Sequence, residues 1–538
     1  MKRIKTEEMS ESSTALQPRI SSTLTSMPLS VKLCLLILIT LIPRVIVFLQ
    51  PQIITNDGVL YIKMAKLFAE GQYSGTPGSY FSLYPFLIFL VQKLIGDWEL
   101  SGQLISVTLG TFAIIPVFLL GRSLYNEKIG WLSAIFYITL PNFLKFDSQV
   151  IRDPALWFFI AFTLWLVWEG IKQNRLILFG LASISGGLGA VTRVEGVIVC
   201  SILFLYITFK KVREISIKRK ILNLSVFLFL FPCLLFIVLF SFKKSSGEMA
   251  IGEMTSFSVE FITAHAQTVL KPRDPIDAIG EKVYSSLPTI AQDALELTGR
   301  HRFPLAFSEV IYKFVKSANF LIILVLLGLW KRKKEGFVSP DRYLLYILIM
   351  LFIMSILYAR QIYYFSTRHG LTLVLPALFF ASHGLDFLVE VTSRGFKRFF
   401  QERTSLKKYL PHIITIFLII LFLGQGLSGA GKEKFMIKET GLWLKQKGYQ
   451  GSLIIGPKKY FRLSFYAQSD FLNLPDSWEK VTETIKQKKV MFVVTDPSTI
   501  EQDCPEFMKN WERSGLVLLQ EIKGKSAAER IQIYLVPR

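Results

Sequence analysis

The sequence predicts an all-α polytopic membrane domain of about eleven transmembrane helices, followed by a small α/β domain. Of the 538 residues, 51% are hydrophobic and only 19% are charged, against roughly 25% charged in an average soluble domain. The apolar residues gather in long runs up to about residue 430, after which short β-rich runs replace them. This composition excludes a soluble globule for most of the chain, and it excludes global disorder, which requires low hydrophobicity.

Long apolar runs bounded by charges predict the membrane-spanning helices, each of which needs about 20 residues to cross the hydrocarbon. The candidates are 31–49, 100–121, 129–146, 154–171, 176–192, 194–209, 221–242, 315–330, 342–359, 370–390 and 411–429. The apolar run 83–95 is too short to cross, so we expect an interfacial or re-entrant helix there.

Lysine and arginine fix the expected orientation, because they stay on the cytoplasmic side. Basic clusters such as 210–220 and 331–334 fall on one side if 83–95 does not cross. We therefore expect a multi-pass protein of the plasma membrane, with a disordered cytoplasmic tail at 1–30 and a retained membrane anchor at 31–49. The net charge of 62 − 40 = +22 then reflects topology and contact with membrane lipids, and no nucleic-acid partner is expected.

Three segments are expected outside the cell membrane. Two of them are loops of the membrane domain 31–429, at 50–99 and 243–314, and the third is an extracytoplasmic α/β domain at 430–538. In this last part an amphipathic helix at 434–447 precedes β-rich runs at 452–456, 490–496, 516–522 and 530–536. The sequence has no phosphate-binding loop, no HExxH and no Rossmann glycine run.

An aspartate follows the first predicted membrane helix. In TNDGVLYIKMAKLFAEG (55–71), Asp57 and Tyr61 are four residues apart, and Tyr61, Ala65 and Phe68 share one helix face. One interpretation is structural: Asn56 or Asp57 caps an interfacial helix that stops at Gly71. The other is catalytic: a carboxylate held just outside the membrane deprotonates an acceptor hydroxyl or amine.

This first-loop pattern resembles that of the GT-C membrane glycosyltransferases. The similarity is greatest to the protein O-mannosyltransferase-like group (glycosyltransferase family 39-like), which includes the lipid A aminoarabinose transferase and the Rgt-type sugar transferases of bacteria. Further matches occur in the same order along the chain. They are Arg44, SLYPFLIFLVQKLIG (82–96), LLGRSLYNEKIGWLSAIFYITLP (119–141), GGLGAVTRVEG (186–196), TRHGLTLVLPALFFA (367–381) and the tail segments ETGLWLKQKG and SLIIGPKKYFRLSFYAQ.

The resemblance implies inverting transfer of a sugar from a polyprenyl-phosphate donor to a lipid, glycan or protein acceptor, with lipopolysaccharide biosynthesis among the roles that such cell-envelope glycosylation serves. It makes Asp57 the catalytic base, supported by Tyr61 on the first-loop helix. The family often has Asp-Glu where this chain has Asp57-Gly58, so we assign no metal site. The sequence leaves undecided whether a divalent cation is needed, and no other cofactor is expected.

A second outer-loop acid is usual in the family, and Asp153 in KFDSQVIRDPALWFF matches it better than Asp147 does. The resemblance makes Asp153 a second catalytic residue beside Asp57, but it is equally suited to cap a helix that starts at Pro154. Charge-assisted contacts to the departing phosphate suit arginine, and the candidates are Arg368, Arg193, Arg360 and His369. Each of these arginines also has another possible role. Arg193 can pair with Glu195 instead of a phosphate, and Arg360 and Arg368 can contact solvent or lipid headgroups.

Two other functions compete with sugar transfer. A transporter or lipid flippase fits many helices and an internal arginine, although no internal repeat is visible in the sequence. A non-catalytic scaffold would use 430–538 as a binding module. The sugar, the acceptor and the oligomeric state are not fixed by the sequence.

Overall fold

A computed structural model describes residues 26–71, 82–210, 216–246, 288–362, 364–399, 404–428, 435–475, 477–496, 515–523 and 530–537. Most of the predicted tail 1–30 and the middle of the predicted loop 243–314 lie outside these residues. The helices are α1 Leu29–Phe48, α2 Asn56–Ala69, α3 Leu83–Ile95, α4 Trp98–Phe112, α5 Ile114–Leu124, α6 Glu127–Thr139, α7 Pro141–Asp147, α8 Asp153–Gln173, α9 Leu176–Thr192, α10 Val194–Phe209, α11 Ile217–Ser246, α12 Thr289–Arg300, α13 Arg302–Ala318, α14 Leu321–Glu335, α15 Ser339–Ile362, α16 Thr367–Phe399, α17 Thr404–Leu427, α18 Phe435–Gln446, α19 Phe461–Ala467 and α20 Trp478–Lys488. The strands are β1 Leu453–Gly456, β2 Asp470–Asn473, β3 Phe492–Thr495, β4 Val517–Lys523 and β5 Arg530–Leu535.

The chain divides into two compact units. The first comprises Met1–Val45, Thr108–Leu144 and Asp153–Gly426, and the second comprises Ile46–Val107, Lys145–Arg152 and Leu427–Arg538. The second unit therefore joins the first predicted outer loop to the carboxy-terminal sheet domain.

Each predicted membrane span falls on helix, but the count of eleven is not confirmed. Among the described residues, five helices are long and apolar enough to cross a membrane, or up to seven if each bent helix pair is one span. The predicted spans 176–192 and 194–209 form helices α9 and α10, which are apolar but shorter than 18 residues. The run 83–95 forms α3, which is short as predicted; its place in the membrane stays a prediction.

The predicted span 315–330 is wrong as a single straight helix, because α13 and α14 meet there at 104°. Asn319 ends α13 with φ 54° and ψ −142°, a positive φ that residues other than glycine seldom adopt. Its side-chain oxygen accepts the backbone N–H of Phe320 at 2.8 Å. The continuous apolar run begins only at Phe320, after the polar residues Lys316, Ser317 and Asn319. A second bend of 59° separates α6 from α7 at Pro141, where the residue before proline is driven out of the helical region.

Close packing fixes the position of α16 in the first unit. A Cβ added at Gly328 of α14 would lie 1.8 Å from the carbonyl oxygen of Phe380, and one at Gly384 of α16 would lie 1.8 Å from that of Leu324. Only residues without a side chain allow backbones to approach so closely. This contact fixes the helix that carries Arg368 and His369 in its first turn.

The second unit contains a five-stranded sheet of order β2-β1-β3-β5-β4. Strand β1 runs parallel to β2 and β3, whereas β5 runs antiparallel to β3 and β4. The four strands predicted from β-rich runs are confirmed; β2, with the sequence DFLN, was missed because two of its four residues are polar. One sheet face packs on α18 and α19 through Ile454, Phe492 and Ile533, and the other buries Ile455 and Val493.

Candidate functional site

Helix α2 carries the predicted catalytic acid, and its start is fixed by Thr55. The Thr55 hydroxyl accepts the backbone N–H of Gly58 at 2.8 Å and donates to the carbonyl of Val150 at 3.1 Å. Thr55 is thus the N-cap, with extended backbone, and the expectation that Asn56 or Asp57 caps the helix is wrong. Asp57 occupies the second helical position and is half-buried. A negative charge in this first turn is favoured by the helix dipole.

Tyr61 lies on the buried face of α2 with Ala65 and Phe68, as the spacing predicts. Its ring meets the ring of Tyr84 edge-on at 5.5 Å between centroids. The hydroxyl of the fully buried Tyr84 lies 2.9 Å from the carbonyl oxygen of Gly102. The guanidinium carbon of Arg152 lies 5.6 Å from the centroid of Tyr61, within the range of a cation–π contact.

Gly58 is a position of close approach. An added Cβ would lie 2.9 Å from the carbonyl oxygen of Val150 and 2.9 Å from Cγ1 of Ile54. A glutamate at position 58, as in the Asp-Glu pattern of the family, would therefore have no room for its side chain. This accounts physically for the glycine after Asp57.

The other predicted acid, Asp153, begins α8 in the first unit and is only 1% exposed. Arg193 stands between α9 and α10 with extended backbone, at φ −164° and ψ 148°. Its Nη1 donates to Oδ1 of Asp153 at 2.6 Å, and its Nε donates to both carboxylate oxygens of Glu195 at 2.8 Å. Arg193 therefore holds the start of α8 against the junction of α9 and α10.

The start of α16 completes this cluster. Nη2 of Arg193 contacts Nε2 of His369, and Nη1 of Arg368 lies 3.5 Å from Oδ2 of Asp153. The backbone N–H of Ser366 donates to Nδ1 of His369 at 3.2 Å. Two carboxylates thus face two guanidiniums, and the charges of the cluster cancel.

Exposure separates the two arginines of this cluster. The side chain of Arg193 is 8% exposed, and three of its nitrogens contact neighbouring side chains, whereas that of Arg368 is 22% exposed. Because a buried guanidinium that is saturated by protein partners has little capacity for a ligand, Arg368 is the better placed of the two to contact one.

The structure brings together four of the predicted site residues: Asp153, Arg193, Arg368 and His369. Asp57 and Tyr61 lie in the second unit. Arg360 is in the last turn of α15, and among the described residues no hydrogen bond or ion pair joins it to the cluster. The alternative pairing of Arg193 with Glu195 is confirmed. Sequence reasoning missed Arg152, although it stands in the quoted segment directly before Asp153.

Within the described ranges, no group of three or more His, Cys, Asp or Glu side chains is placed to hold a metal ion. In the cluster, the carboxylates of Asp153 and Glu195 both face Arg193, so their chemistry fits an ion-pair network rather than a cation site.

The chain is similar to known proteins in part of its sequence and in its fold. Residues 82–238 match the family described as dolichyl-phosphate-mannose-protein mannosyltransferase. ArnT from Cupriavidus metallidurans in the apo state has a TM-score of 0.53 at 12% identity, over 94% of this chain and 98% of that one. The oligosaccharyltransferase AglB from Archaeoglobus fulgidus, in complex with an inhibitory peptide and a dolichol-phosphate, has a TM-score of 0.51 at 12% identity, over 94% of this chain and 74% of that one.

No curated protein sequence matches the chain significantly. At 12% identity the two solved structures show the fold, and the family match adds sequence evidence for the segment from α3 to α11. The resemblance drawn from the first-loop and helix motifs is thereby confirmed: this chain is a multi-pass membrane protein with the fold of the GT-C glycosyltransferases.

Proposed function

We propose that this protein transfers a sugar, with inversion, from a polyprenyl-phosphate-linked donor to a lipid, glycan or protein acceptor on the outer face of the cytoplasmic membrane. The fold supports sugar transfer in a membrane, and the description of the matched family names a lipid-phosphate sugar as the donor. The dolichol-phosphate in the AglB complex is a carrier of the same class. In the expected orientation, the loop 50–99 with Asp57 and the domain 430–538 lie on the outer side of the membrane.

The position of Asp57 is the observation that carries this proposal. Thr55 caps α2, so the Asp57 carboxylate is not required as the cap, yet the first turn holds it half-buried at a fixed place. A base that is positioned in this way accepts the proton of the acceptor hydroxyl as the oxygen attacks C1 of the sugar. The bond from C1 to the phosphate oxygen breaks on the opposite face, and the lipid phosphate leaves with the electron pair.

The leaving phosphate gains negative charge in this step, and a guanidinium stabilises it best. We assign this role to Arg368, which is partly exposed. Asp153 is buried between Arg193 and Arg368; we therefore assign it the positioning of these arginines rather than proton transfer. Arg193 and His369 tie α16 to the same network.

The test compares Asp57→Asn with Asp97→Asn in membranes that contain the full chain. Asp97 is an exposed acid of the same unit, and its side chain accepts the backbone N–H of Leu100 at 2.7 Å, a contact that asparagine preserves. The probes are undecaprenyl phosphates that carry radiolabelled mannose, glucose, galactose or arabinose, each supplied with an envelope fraction as the source of acceptors.

We expect Asp57→Asn to lower transfer about 10²- to 10⁴-fold, the usual contribution of a general base, and Asp97→Asn to leave it within about twofold. Wild-type turnover in Asp57→Asn would overturn the role of Asp57. Movement of the labelled lipid across the bilayer without any covalent product would instead support the transporter or flippase, and would overturn the proposed function as a whole.

A further inference from the structure

The carboxy-terminal α/β domain contacts the backbone just before α2 through one tyrosine. The hydroxyl oxygen of Tyr466, on α19, accepts the backbone N–H of Ile54 at 2.8 Å. The same hydroxyl donates to Oε1 of Glu99 at 3.0 Å. Tyr466 and Ile54 are 6% and 2% exposed, so water does not compete for these bonds. Ile54 immediately precedes the cap Thr55.

A lysine lies beside both Tyr466 and its acceptor Glu99. Nζ of Lys438, on α18, lies 3.8 Å from Oε2 of Glu99 and 5.0 Å from the centroid of the Tyr466 ring. Helix α19 has a second basic contact: Nζ of Lys63, on α2, lies 5.7 Å from the ring centroid of Phe461. Helix α19 therefore contacts α2 through Phe461 and the approach to α2 through Tyr466.

Packing leaves the tyrosine little room to shift. A Cβ added at Gly441 of α18 would lie 2.6 Å from Cβ of Tyr466 and 2.7 Å from the carbonyl oxygen of Leu463. Ile53 packs against the apolar cluster of the sheet domain. The backbone before Thr55 is thus held by a buried hydrogen bond at Ile54 and by an apolar contact of the preceding residue, Ile53.

The hydroxyl also stays protonated at any physiological pH. Burial raises the pKa of Tyr466 well above its ordinary value, and the neighbouring Glu99 carboxylate raises it further. Tyr466 can therefore donate to Glu99 and accept from Ile54 at the same time, which a phenolate could not do.

We propose that Tyr466 is a positioning residue for the first outer loop: the carboxy-terminal domain sets, through its hydroxyl, the backbone from which the Asp57 helix starts. The proposal rests on the proposed function for its effect on turnover, but the contact is testable without any substrate. Misplacement of a reacting group by about 1 Å can cost 10²-fold in rate, so loss of this hydroxyl should lower kcat rather than weaken donor binding.

Tyr460→Phe provides a matched control for Tyr466→Phe. Tyr460 lies in the same domain, is 5% exposed, and donates its hydroxyl to Oδ2 of Asp496 at 2.6 Å. Burial likewise raises the pKa of Tyr460. Each substitution removes one buried hydroxyl bonded to a carboxylate, but only Tyr466 bonds the first loop.

The experiment measures amide hydrogen exchange over residues 53–59 in the full-length protein in detergent, and then kcat and KM with the labelled donors. For Tyr466→Phe we expect exchange to become roughly two- to tenfold faster, as the loss of one hydrogen bond implies, and kcat to fall about 10- to 100-fold with KM for the donor unchanged. For Tyr460→Phe we expect neither change.

Unchanged exchange at 53–59 in Tyr466→Phe would overturn the positioning role while leaving the proposed function intact. Equal effects of the two tyrosine variants would show a general loss of domain stability and would also overturn it. Faster exchange in Tyr466→Phe, together with full activity of Asp57→Asn, would uphold the structural contact and sink the proposed role of Asp57.

Discussion

Arg193 donates to Asp153 at 2.6 Å, and both side chains are buried in the first unit. The pair joins α8 to the junction of α9 and α10, two points that are 40 residues apart in the chain. A buried ion pair often contributes little net stability, because desolvation offsets the attraction between the charges. Removing one partner is costly, since the other charge then stays buried without compensation.

Substitution of Arg193 by methionine should therefore destabilise the protein by about 3–5 kcal/mol, because the buried carboxylate of Asp153 loses its 2.6 Å partner and that of Glu195 loses both of its contacts with the guanidinium. The double variant Asp153→Asn/Arg193→Met should lose less than the sum of the two single variants, since neither member of the buried pair then carries a charge. Unfolding of the purified protein in mixed detergent micelles measures both effects. Strictly additive losses would show that the two side chains are not coupled.

The contrast between Asp57 and this cluster shows what the sequence can and cannot predict. The face shared by Tyr61, Ala65 and Phe68 follows from helical periodicity alone, because it depends only on the rise and turn of one helix. The meeting of Asp153 with Arg193 and Arg368 depends on how α8, α9, α10 and α16 pack, and no local pattern in the chain encodes that packing.

Local reasoning failed where neighbouring side chains can perform the same role. Thr55, Asn56 and Asp57 all have side chains that can cap a helix, and the choice of Thr55 depends on its second bond, to the carbonyl of Val150. The predicted span 315–330 was wrong because it joined the polar stretch with Lys316, Ser317 and Asn319 to the apolar run from Phe320; the positive-φ backbone of Asn319 separates the two.

Arg368→Gln should lower kcat/KM for the polyprenyl-phosphate donors by about 10²-fold, the usual cost of removing one group that stabilises developing charge. Arg368→Lys should keep part of the activity, because it retains the charge but loses the planar guanidinium. Arg394→Gln is the matched control on the same helix, where Arg394 is exposed and pairs with Glu390; it should have little effect.

Arg360→Gln separates the two predicted phosphate-binding arginines near the start of α16. Arg360 is not joined to the cluster within the described residues, so we expect a change in kcat/KM of less than about threefold, the effect of a solvated charge near the site. Steady-state rates with the same labelled donors decide the matter. A loss at Arg360 equal to that at Arg368 would mean that both guanidiniums contact the donor, and a loss at Arg360 alone would overturn the assignment of Arg368.

Gly58→Glu tests why the chain has a single acid in its first loop. An added Cβ at this position lies 2.9 Å from the carbonyl oxygen of Val150, and neither backbone can yield without moving the start of α2. We expect the free energy of unfolding of the variant to fall by about 1–3 kcal/mol, the usual cost of overpacking. We also expect it to lose transfer activity, which added Mg²⁺ or Mn²⁺ does not restore.

The control is Asn56→Glu, which adds the same charge at an exposed position of the same turn. The helix dipole favours a negative charge there, so this variant should keep both stability and activity. Cation-dependent activity in Gly58→Glu above the wild-type level would contradict this account, because it would show that the loop can accommodate a second acid and use it to bind a metal.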